Sequence, residues 1–168
     1  MDKVLTDEGG NCFDFSASLD AFKADSDTYH GLSALDFVVE TDENILFIEV
    51  KHPDSKKATK RAREVFLKDL QNKYYPYKAG EKYKSMLLRK WVSGEFYSKP
   101  IICVFILEFS DFSKTERAIL KEKMFNRIPF SLNKPEFGGK KHFEKRFELL
   151  SFSEFRSMFP SYTLTENV

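Results

Sequence analysis

Two short apolar segments, separated by a four-residue polar turn, constrain the fold of this chain more than any other feature. Residues 35–40 alternate Leu, Phe and Val with Asp, Val and Glu, and residues 45–51 continue the same period of two. The Thr-Asp-Glu-Asn sequence at 41–44 has turn chemistry, so the pattern predicts a β-hairpin. Both faces of each segment are largely apolar, which indicates a sheet that is covered on each side.

Helical periodicity follows the hairpin. Apolar residues recur at spacings of three and four from Ala58 to Leu70, and Pro76 is expected to end or kink that helix. A second apolar stripe begins after Gly80. A capping box at residues 113–116 and a serine cap at 151 or 153 predict two later helices.

Two further strands are predicted after the long helices. The apolar run 101–107 indicates a central strand buried on both faces, and Phe and Leu at 143, 147 and 149 indicate a late strand. Between the helix that begins near residue 113 and this late strand, prolines and a Gly-Gly pair mark residues 129–142 as a loop.

The whole sequence, residues 1–168, predicts one α/β domain. Its length suits a single domain, and no repeat or flexible linker divides it. Leu19 and Phe22 lie three apart, which favours a short helix over residues 16–25, capped by a serine at 16 or 18. The element order predicts a layered fold with a mixed central sheet flanked by helices.

Composition excludes several protein classes. Hydrophobic residues make up 42% and charged residues 32% of the chain, which excludes a disordered protein. The longest uncharged apolar run falls far short of the roughly 20 residues of a membrane helix, and no apolar signal segment begins the chain. Two cysteines are too few for a disulfide framework. We therefore expect a cytoplasmic protein with no membrane partner.

Charge is distributed unevenly along the chain. Residues 1–50 contain 2 basic and 12 acidic side chains, whereas residues 51–100 contain 14 basic and 5 acidic ones. This division suits a protein that gathers a divalent metal beside a polyanion. The alternative is that the two parts neutralise each other on one surface.

Three charged residues interrupt the apolar hairpin. Glu49 and Lys51 are two apart on one strand and project from the same face. Folding about residues 41–44 places Asp36 opposite Glu49, with Cβ atoms about 5 Å apart, so the two carboxylates can share a divalent cation. The Val50 carbonyl is a further candidate ligand. The alternative is a salt-bridged cluster on a solvated face.

This arrangement resembles the PD-(D/E)xK nuclease superfamily. Asp36 and Glu49-Val50-Lys51 lie on a hairpin followed by a helix, and the segment from Gln71 to Tyr75 matches the Q-x3-Y element of RecB-like members. The resemblance implies a restriction-endonuclease-like αβββαβ core and hydrolysis of phosphodiester bonds that depends on Mg²⁺ or Mn²⁺.

The resemblance also implies a role for each matching residue. Asp36 and Glu49 would bind the metal, and Lys51 would assist the attacking water. Gln71 and Tyr75, four apart on one helix face, would steady the site or the substrate backbone. The family's first helix usually supplies another acidic residue, for which the candidates in this sequence are Glu8, Asp14 and Asp20. The alternative for each of them is an ordinary turn or surface carboxylate.

A basic stretch follows the hairpin and is expected to open the next helix. Its members are Lys56, Lys57, Lys60, Arg61 and Arg63. Such residues contact phosphates and give affinity without sequence readout, although a solvated helix face is the alternative. Tyrosines at 74, 75 and 77 either stack on unpaired bases or pack at the rim of the core. His52 is a candidate for the edge of the site.

The sequence therefore predicts a metal-dependent nuclease and favours DNA over RNA as its substrate, although it leaves the choice between them open. The resemblance implies a role in repair, mobile elements or defence against foreign DNA. One alternative is a catalytically inactive relative that binds nucleic acid or a protein partner. Another is a structural α/β adaptor. The sequence leaves open whether the chain forms a homodimer.

Overall fold

The fold is given by a computed structural model that describes residues 3–26, 32–72, 74–92, 94, 99–128 and 143–167. The strands are β1 (Val4–Thr6), β2 (Cys12–Asp14), β3 (Asp20–Lys23), β4 (Phe37–Glu40), β5 (Ile45–Lys51), β6 (Ile101–Leu107), β7 (Phe143–Leu150) and β8 (Thr163–Thr165). The helices are α1 (Lys60–Gln71), α2 (Tyr74–Val92), α3 (Lys114–Phe125) and α4 (Phe152–Met158).

Two sheets organise the chain. A mixed sheet has the strand order β3-β4-β5-β6-β7, in which β3, β4 and β5 are antiparallel and β5, β6 and β7 are parallel. A small antiparallel sheet has the order β1-β2-β8. The helices α1 and α2 form the crossover that parallel pairing of β5 and β6 requires. The prediction of an α/β fold with a mixed sheet is confirmed.

The predicted hairpin is present as β4 and β5. Phe37 pairs with Ile48 and the remaining pairs follow the same register. In the turn, the backbone N–H of Thr41 donates to the carbonyl of Asn44 at 2.8 Å, and the Thr41 hydroxyl accepts from the Asn44 N–H at 2.9 Å. The turn thus fixes which residues face each other across the two strands.

Both faces of the mixed sheet are buried, as the apolar pattern predicts. One face of β5, with Ile45 and Phe47, packs in the same core cluster as residues of α1, α2 and α3. The opposite face, with Leu46 and Ile48, packs against aromatic residues of the small sheet and α4. These aromatic residues include Phe13, Phe15, Phe152 and Phe155. All seven residues of β6 are buried, which confirms the predicted central strand.

The boundaries of the long helices differ from the prediction. The helix α1 ends at Gln71, because Asn72 adopts extended backbone angles. Pro76 therefore neither ends nor kinks α1 but lies in the first turn of α2. A proline costs little there, because the N–H groups of a first helical turn have no intrahelical acceptor.

The expected helix over residues 16–25 is wrong. Residues 20–23 form β3, which pairs with β4 so that Phe22 faces Val38, and only Ala24–Ser26 form a short 3₁₀ turn. Pairing at the edge of the sheet overrides the helical spacing of Leu19 and Phe22. Among the described residues before β4 there is therefore no counterpart of the leading helix in an αβββαβ core.

The late elements follow the prediction. Ser113 and Glu116 form the predicted capping box of α3, and Ser151 caps α4 together with Glu154. The predicted loop over 129–142 lies outside the described residues. No helix in the described ranges is long and apolar enough to cross a membrane.

Candidate functional site

Asp36 and Glu49 lie together at one end of the β4–β5 hairpin. The strand register, continued by one step from the pair of Phe37 and Ile48, sets Asp36 opposite Glu49 as predicted. Both residues are buried, with 3% and 1% of their surface exposed. Asp36 Oδ2 accepts a hydrogen bond from the backbone N–H of Val50 at 2.6 Å. The Val50 group that contacts Asp36 is thus its amide, whereas the carbonyl was the predicted ligand.

Two ammonium groups contact one oxygen of Glu49. Lys51 Nζ lies 3.1 Å and Lys82 Nζ lies 2.6 Å from Glu49 Oε1. The other oxygen, Oε2, is buried and has no hydrogen-bond partner among the residues that the structure describes. The cluster contains ion pairs, as the alternative interpretation of the hairpin charges predicted. It lies in the interior, however, and not on a solvated face.

Lys82 is the site residue that the sequence prediction missed. It comes from α2, 33 residues after Glu49 in the sequence. A signal was present, because Lys82 lies three residues after Ala79 and four before Met86, both buried on one face of α2. A lysine within such an apolar stripe indicates a partner for its charge.

The pKa values of Asp36 and Lys51 are both raised in this site. Burial, and after it the charge of Glu49, raises the pKa of Asp36 to about 7, against the opposing effects of Lys51 and Lys82. Burial alone would lower the pKa of Lys51, but the charges of Glu49 and Asp36 outweigh it and raise that pKa above its ordinary value. Lys51 is therefore protonated at neutral pH.

A cleft of about 250 Å³ lies beside Lys51. It is bounded by the turn between β1 and β2, the end of β5 and the first half of α1. Polar and charged residues in its lining include Asp7, Glu8, Lys51, His52, Ser55, Lys57 and Arg63, and Phe66 adds an aromatic surface.

Of the three acidic residues considered as additional ligands, Glu8 is the one that lines the cleft, and its charge contributes to the raised pKa of Lys51. Asp14 lies on β2, where its carboxylate accepts from the Ser16 N–H at 2.8 Å. Asp20 lies at the start of β3 and pairs across the sheet with Glu40.

The turn that carries Glu8 is fixed by a buried polar network. The backbone and side-chain N–H groups of Asn11 each donate to Asp7 at 2.8 Å. Asn11 Oδ1 accepts from the Asn167 N–H at 3.1 Å and lies 3.3 Å from His52 Nδ1. His52 thus lies at the edge of the cleft, with its orientation set by Asn11.

The predicted pairing of Gln71 and Tyr75 on one helix face is wrong. Gln71 is the last residue of α1 and Tyr75 the second of α2, because the backbone is extended at Asn72 between them. The Gln71 side chain lies outside the described part of the chain. Tyr75 is buried in the core, with its ring 4.9 Å from that of Phe66 and 5.7 Å from that of Phe105.

Tyr75 nevertheless lies near enough to the site for the charges of Glu49 and Asp36 to act on its hydroxyl. Burial, followed by the charges of Glu49 and Asp36, raises the pKa of Tyr75 well above its ordinary value. Its hydroxyl therefore stays protonated. Tyr74 and Tyr77, the other two candidates for base stacking, are about half exposed.

The basic stretch is divided between a turn and a helix. Lys60, Arg61 and Arg63 lie in the first turn of α1, but Lys56 and Lys57 precede the helix, so the prediction that they open it is wrong. The helix begins at residue 60 because Thr59 is its N-cap and accepts from the Ala62 N–H.

Arg63 is engaged by carboxylates of this chain. Its guanidinium lies 2.9 Å from Asp54 and 2.5 Å from Asp111. The ion pair with Asp111 connects α1 to the segment that follows β6, and the pair with Asp54 connects it to the segment between β5 and α1. Of the basic residues predicted to bind phosphate, Lys57 and Arg63 line the cleft, and only Arg63 is held by these two acids.

In the part of the chain that the structure describes, no group of three or more His, Cys, Asp or Glu side chains is arranged to hold a metal ion. The acidic pair of Asp36 and Glu49 is smaller than such a group. No protein-family model, curated protein or solved structure matches the chain at a significant level.

Proposed function

We propose that this protein is a nuclease that requires Mg²⁺ or Mn²⁺ and hydrolyses phosphodiester bonds, with DNA as its expected substrate. One observation carries the proposal. Asp36, Glu49 and Lys51 converge at one end of a buried hairpin, where one oxygen of Glu49 has no described partner. Buried carboxylates are found with partners or metal ions, so the unpaired oxygen favours a cation ligand.

The order of the strands supports the proposal. Three antiparallel strands, β3 to β5, are followed by the α1–α2 crossover and the parallel strand β6. This order fits the βββαβ part of a restriction-endonuclease-like core. Asp36 comes just before the second of these strands and Glu49 and Lys51 lie on the third, which is where the PD-(D/E)xK superfamily carries its acidic pair and lysine.

The residues present fit a hard divalent cation. Mg²⁺ and Mn²⁺ prefer carboxylate oxygens and often retain several water ligands, so two protein carboxylates are an adequate donor set. Asp36 and Glu49 would hold the ion. When bound, it would supply Lewis acidity and charge neutralisation toward the scissile phosphate.

Lys51 would act as a fixed positive charge and hydrogen-bond donor. Because its pKa is raised, the amine keeps its proton at neutral pH and does not serve as a general base. Its ammonium group can orient the attacking water or a phosphate oxygen and stabilise the negative charge that develops on it. Glu49 holds this ammonium at 3.1 Å.

The cleft beside Lys51 suits a sugar–phosphate strand. Lys57 and Lys51 line it, and Phe66 offers an apolar surface. Arg63 also lines the cleft, but Asp54 and Asp111 hold its guanidinium, so Lys57 and Lys51 are the cations offered to phosphate. Cations that contact phosphate give affinity for nucleic acid of any sequence. His52, fixed by Asn11, lies at the same rim.

A catalytically inactive nucleic-acid-binding protein is the second candidate, and one observation favours it. Lys51 and Lys82 already place two positive charges on Glu49, so the acidic pair is balanced without a metal ion. The cleft would then bind a nucleic-acid strand that the protein does not cleave.

The test is a panel of single-stranded, double-stranded and branched DNA and RNA, incubated with Mg²⁺, Mn²⁺ or EDTA. We expect cleavage of DNA with metal and none with EDTA. Lys51→Ala should lower the rate by about 100-fold or more while circular dichroism shows a folded protein. Lys99→Ala is the matched control, because Lys99 pairs with Glu40 at the opposite end of the strands.

The outcomes separate the two candidates. Full activity in Lys51→Ala contradicts the nuclease mechanism. Salt-sensitive binding of nucleic acid by a protein that cleaves none of the substrates supports the inactive binder instead.

A further inference from the structure

The contact between Lys82 and Glu49 is the shorter of the two lysine contacts in the site. Lys82 Nζ lies 2.6 Å from Glu49 Oε1, against 3.1 Å for Lys51. The Glu49 side chain is 1% exposed and that of Lys82 is 26% exposed. The Lys82 ammonium is thus held by a buried acid, while the Lys82 side chain as a whole is partly exposed to solvent.

The cluster contains two acidic and two basic side chains. Asp36 and Glu49, when ionised, supply two negative charges, and Lys51 and Lys82 supply two positive charges. A divalent cation added to this buried cluster would leave an excess of two positive charges. Uncompensated charge in a buried site is costly, so binding of the ion requires a positive group to leave.

We propose that the Lys82 ammonium occupies the acidic site in place of a divalent cation and is displaced when the cation binds. Lys82 thereby sets the metal affinity of the site. This inference rests on the proposed function, because it assigns a role in metal binding to a residue outside the D-x12-E-x-K pattern.

The geometry selects Lys82 and not Lys51 as the group that leaves. Lys51 is two residues from Glu49 on the same strand and lines the cleft, where it remains close to a bound phosphate. Lys82 approaches Glu49 from α2, and its partly exposed four-carbon side chain can turn into solvent without any change in the helix.

The experiment measures binding of Mn²⁺ by isothermal titration calorimetry to the full chain, in the absence of nucleic acid. Lys82→Met removes the charge and keeps the length of the side chain, and we expect it to bind Mn²⁺ about tenfold or more tightly than wild type. Lys82→Arg retains the charge and should stay within about threefold of wild type. Lys82→Gln is the second uncharged variant, should Lys82→Met fail to fold.

Lys84→Met is the matched control. Lys84 lies on the same helix, but it is exposed and pairs with Glu81 at 2.8 Å. Its removal should leave Mn²⁺ affinity unchanged, because the substitution does not alter the charge that faces Glu49. Glu49→Gln should abolish the binding in every background.

The results distinguish this inference from the proposed function. Tighter Mn²⁺ binding in Lys82→Met or Lys82→Gln, including the case in which wild type binds none, supports the displacement of Lys82. Equal or weaker binding in the folded uncharged variants overturns it, since Lys82 would then support Glu49, and the nuclease proposal would stand. Absence of Glu49-dependent binding in wild type and in all Lys82 variants overturns both.

Discussion

The carboxylate of Asp36 accepts the backbone N–H of Val50 at 2.6 Å, so a side chain just before β4 bonds to the backbone of β5. That hydrogen bond favours the ionised form of Asp36. Burial and the charge of Glu49 favour the neutral form more strongly, and the pKa is raised to about 7. The protonation of one carboxyl group is therefore coupled to the stability of the hairpin.

The first prediction concerns stability and pH. Because Asp36 binds its proton more tightly in the folded than in the unfolded chain, its contribution to stability falls as pH rises from about 4 to about 7. The full change is on the order of 4 kcal/mol. Asp36→Asn, which keeps an acceptor for Val50, should flatten this part of the profile. Urea unfolding from pH 4 to 8 in metal-free buffer measures it.

Asp14→Asn is the control for this prediction. Hydrogen bonds from Ser16 lower the pKa of Asp14, so ionised Asp14 stabilises the folded protein above the ordinary pKa of an aspartate, and Asp14→Asn should lose that stability. The pH dependence that Asp14 contributes thus has the opposite sign to that of Asp36. The groups that face Asp36 are Glu49, Lys51 and Lys82, whose charges enter the measured profile. A profile for Asp36→Asn that parallels wild type between pH 4 and 7 would contradict the assignment.

The second prediction concerns Tyr75, which the Q-x3-Y resemblance assigned to the site and the structure places in the core. Tyr75→Ala removes a ring that contacts Phe66 and Phe105, and we expect a loss of about 3–5 kcal/mol in the free energy of unfolding. Tyr75→Phe keeps the ring and should change it by less than about 1 kcal/mol. Urea titration of both variants gives the comparison. Equal losses would mean that the hydroxyl, and not the ring, holds the residue.

The third prediction concerns the contact of the cleft with nucleic acid. Lys57→Gln should weaken DNA binding similarly for all sequences and reduce the slope of log K against log salt by about 1. Lys99→Gln is the control, because Lys99 lies at the other end of β6, about 20 Å from the Lys51 end by the rise per strand residue. Fluorescence anisotropy across a salt series measures both. An unchanged slope in Lys57→Gln would remove the cleft from the interface.

The hairpin and its acidic pair were predictable because local chemistry determines them. Alternation with a period of two, together with the turn at residues 41–44, specifies the register, and the register brings Asp36 to Glu49. Capping residues gave the starts of α3 and α4 in the same way, since a cap acts within one helical turn.

The elements that were missed depend on contacts between distant segments. The strand β3 has only four residues and is stabilised by pairing with β4, which its own spacing of apolar residues does not reveal. Lys82 contacts Glu49 through the packing of α2 on the sheet, so no local pattern includes both. The extended backbone at Asn72 separates Gln71 from Tyr75. Pro76, a few residues later, was the stronger sequence signal for the end of a helix, so the break at Asn72 was missed.

The length of the β4–β5 turn has a consequence for sequence change in this chain. Since successive strand residues point to opposite faces, inserting or deleting one turn residue would move Asp36 toward the layer of Phe13 and Phe15. A change of two residues would preserve its face but shift it along β5. Adding or removing an odd number of turn residues would therefore place Asp36 and Glu49 on opposite faces of the sheet. An even number would keep them on one face but move Asp36 along β5, away from its position opposite Glu49.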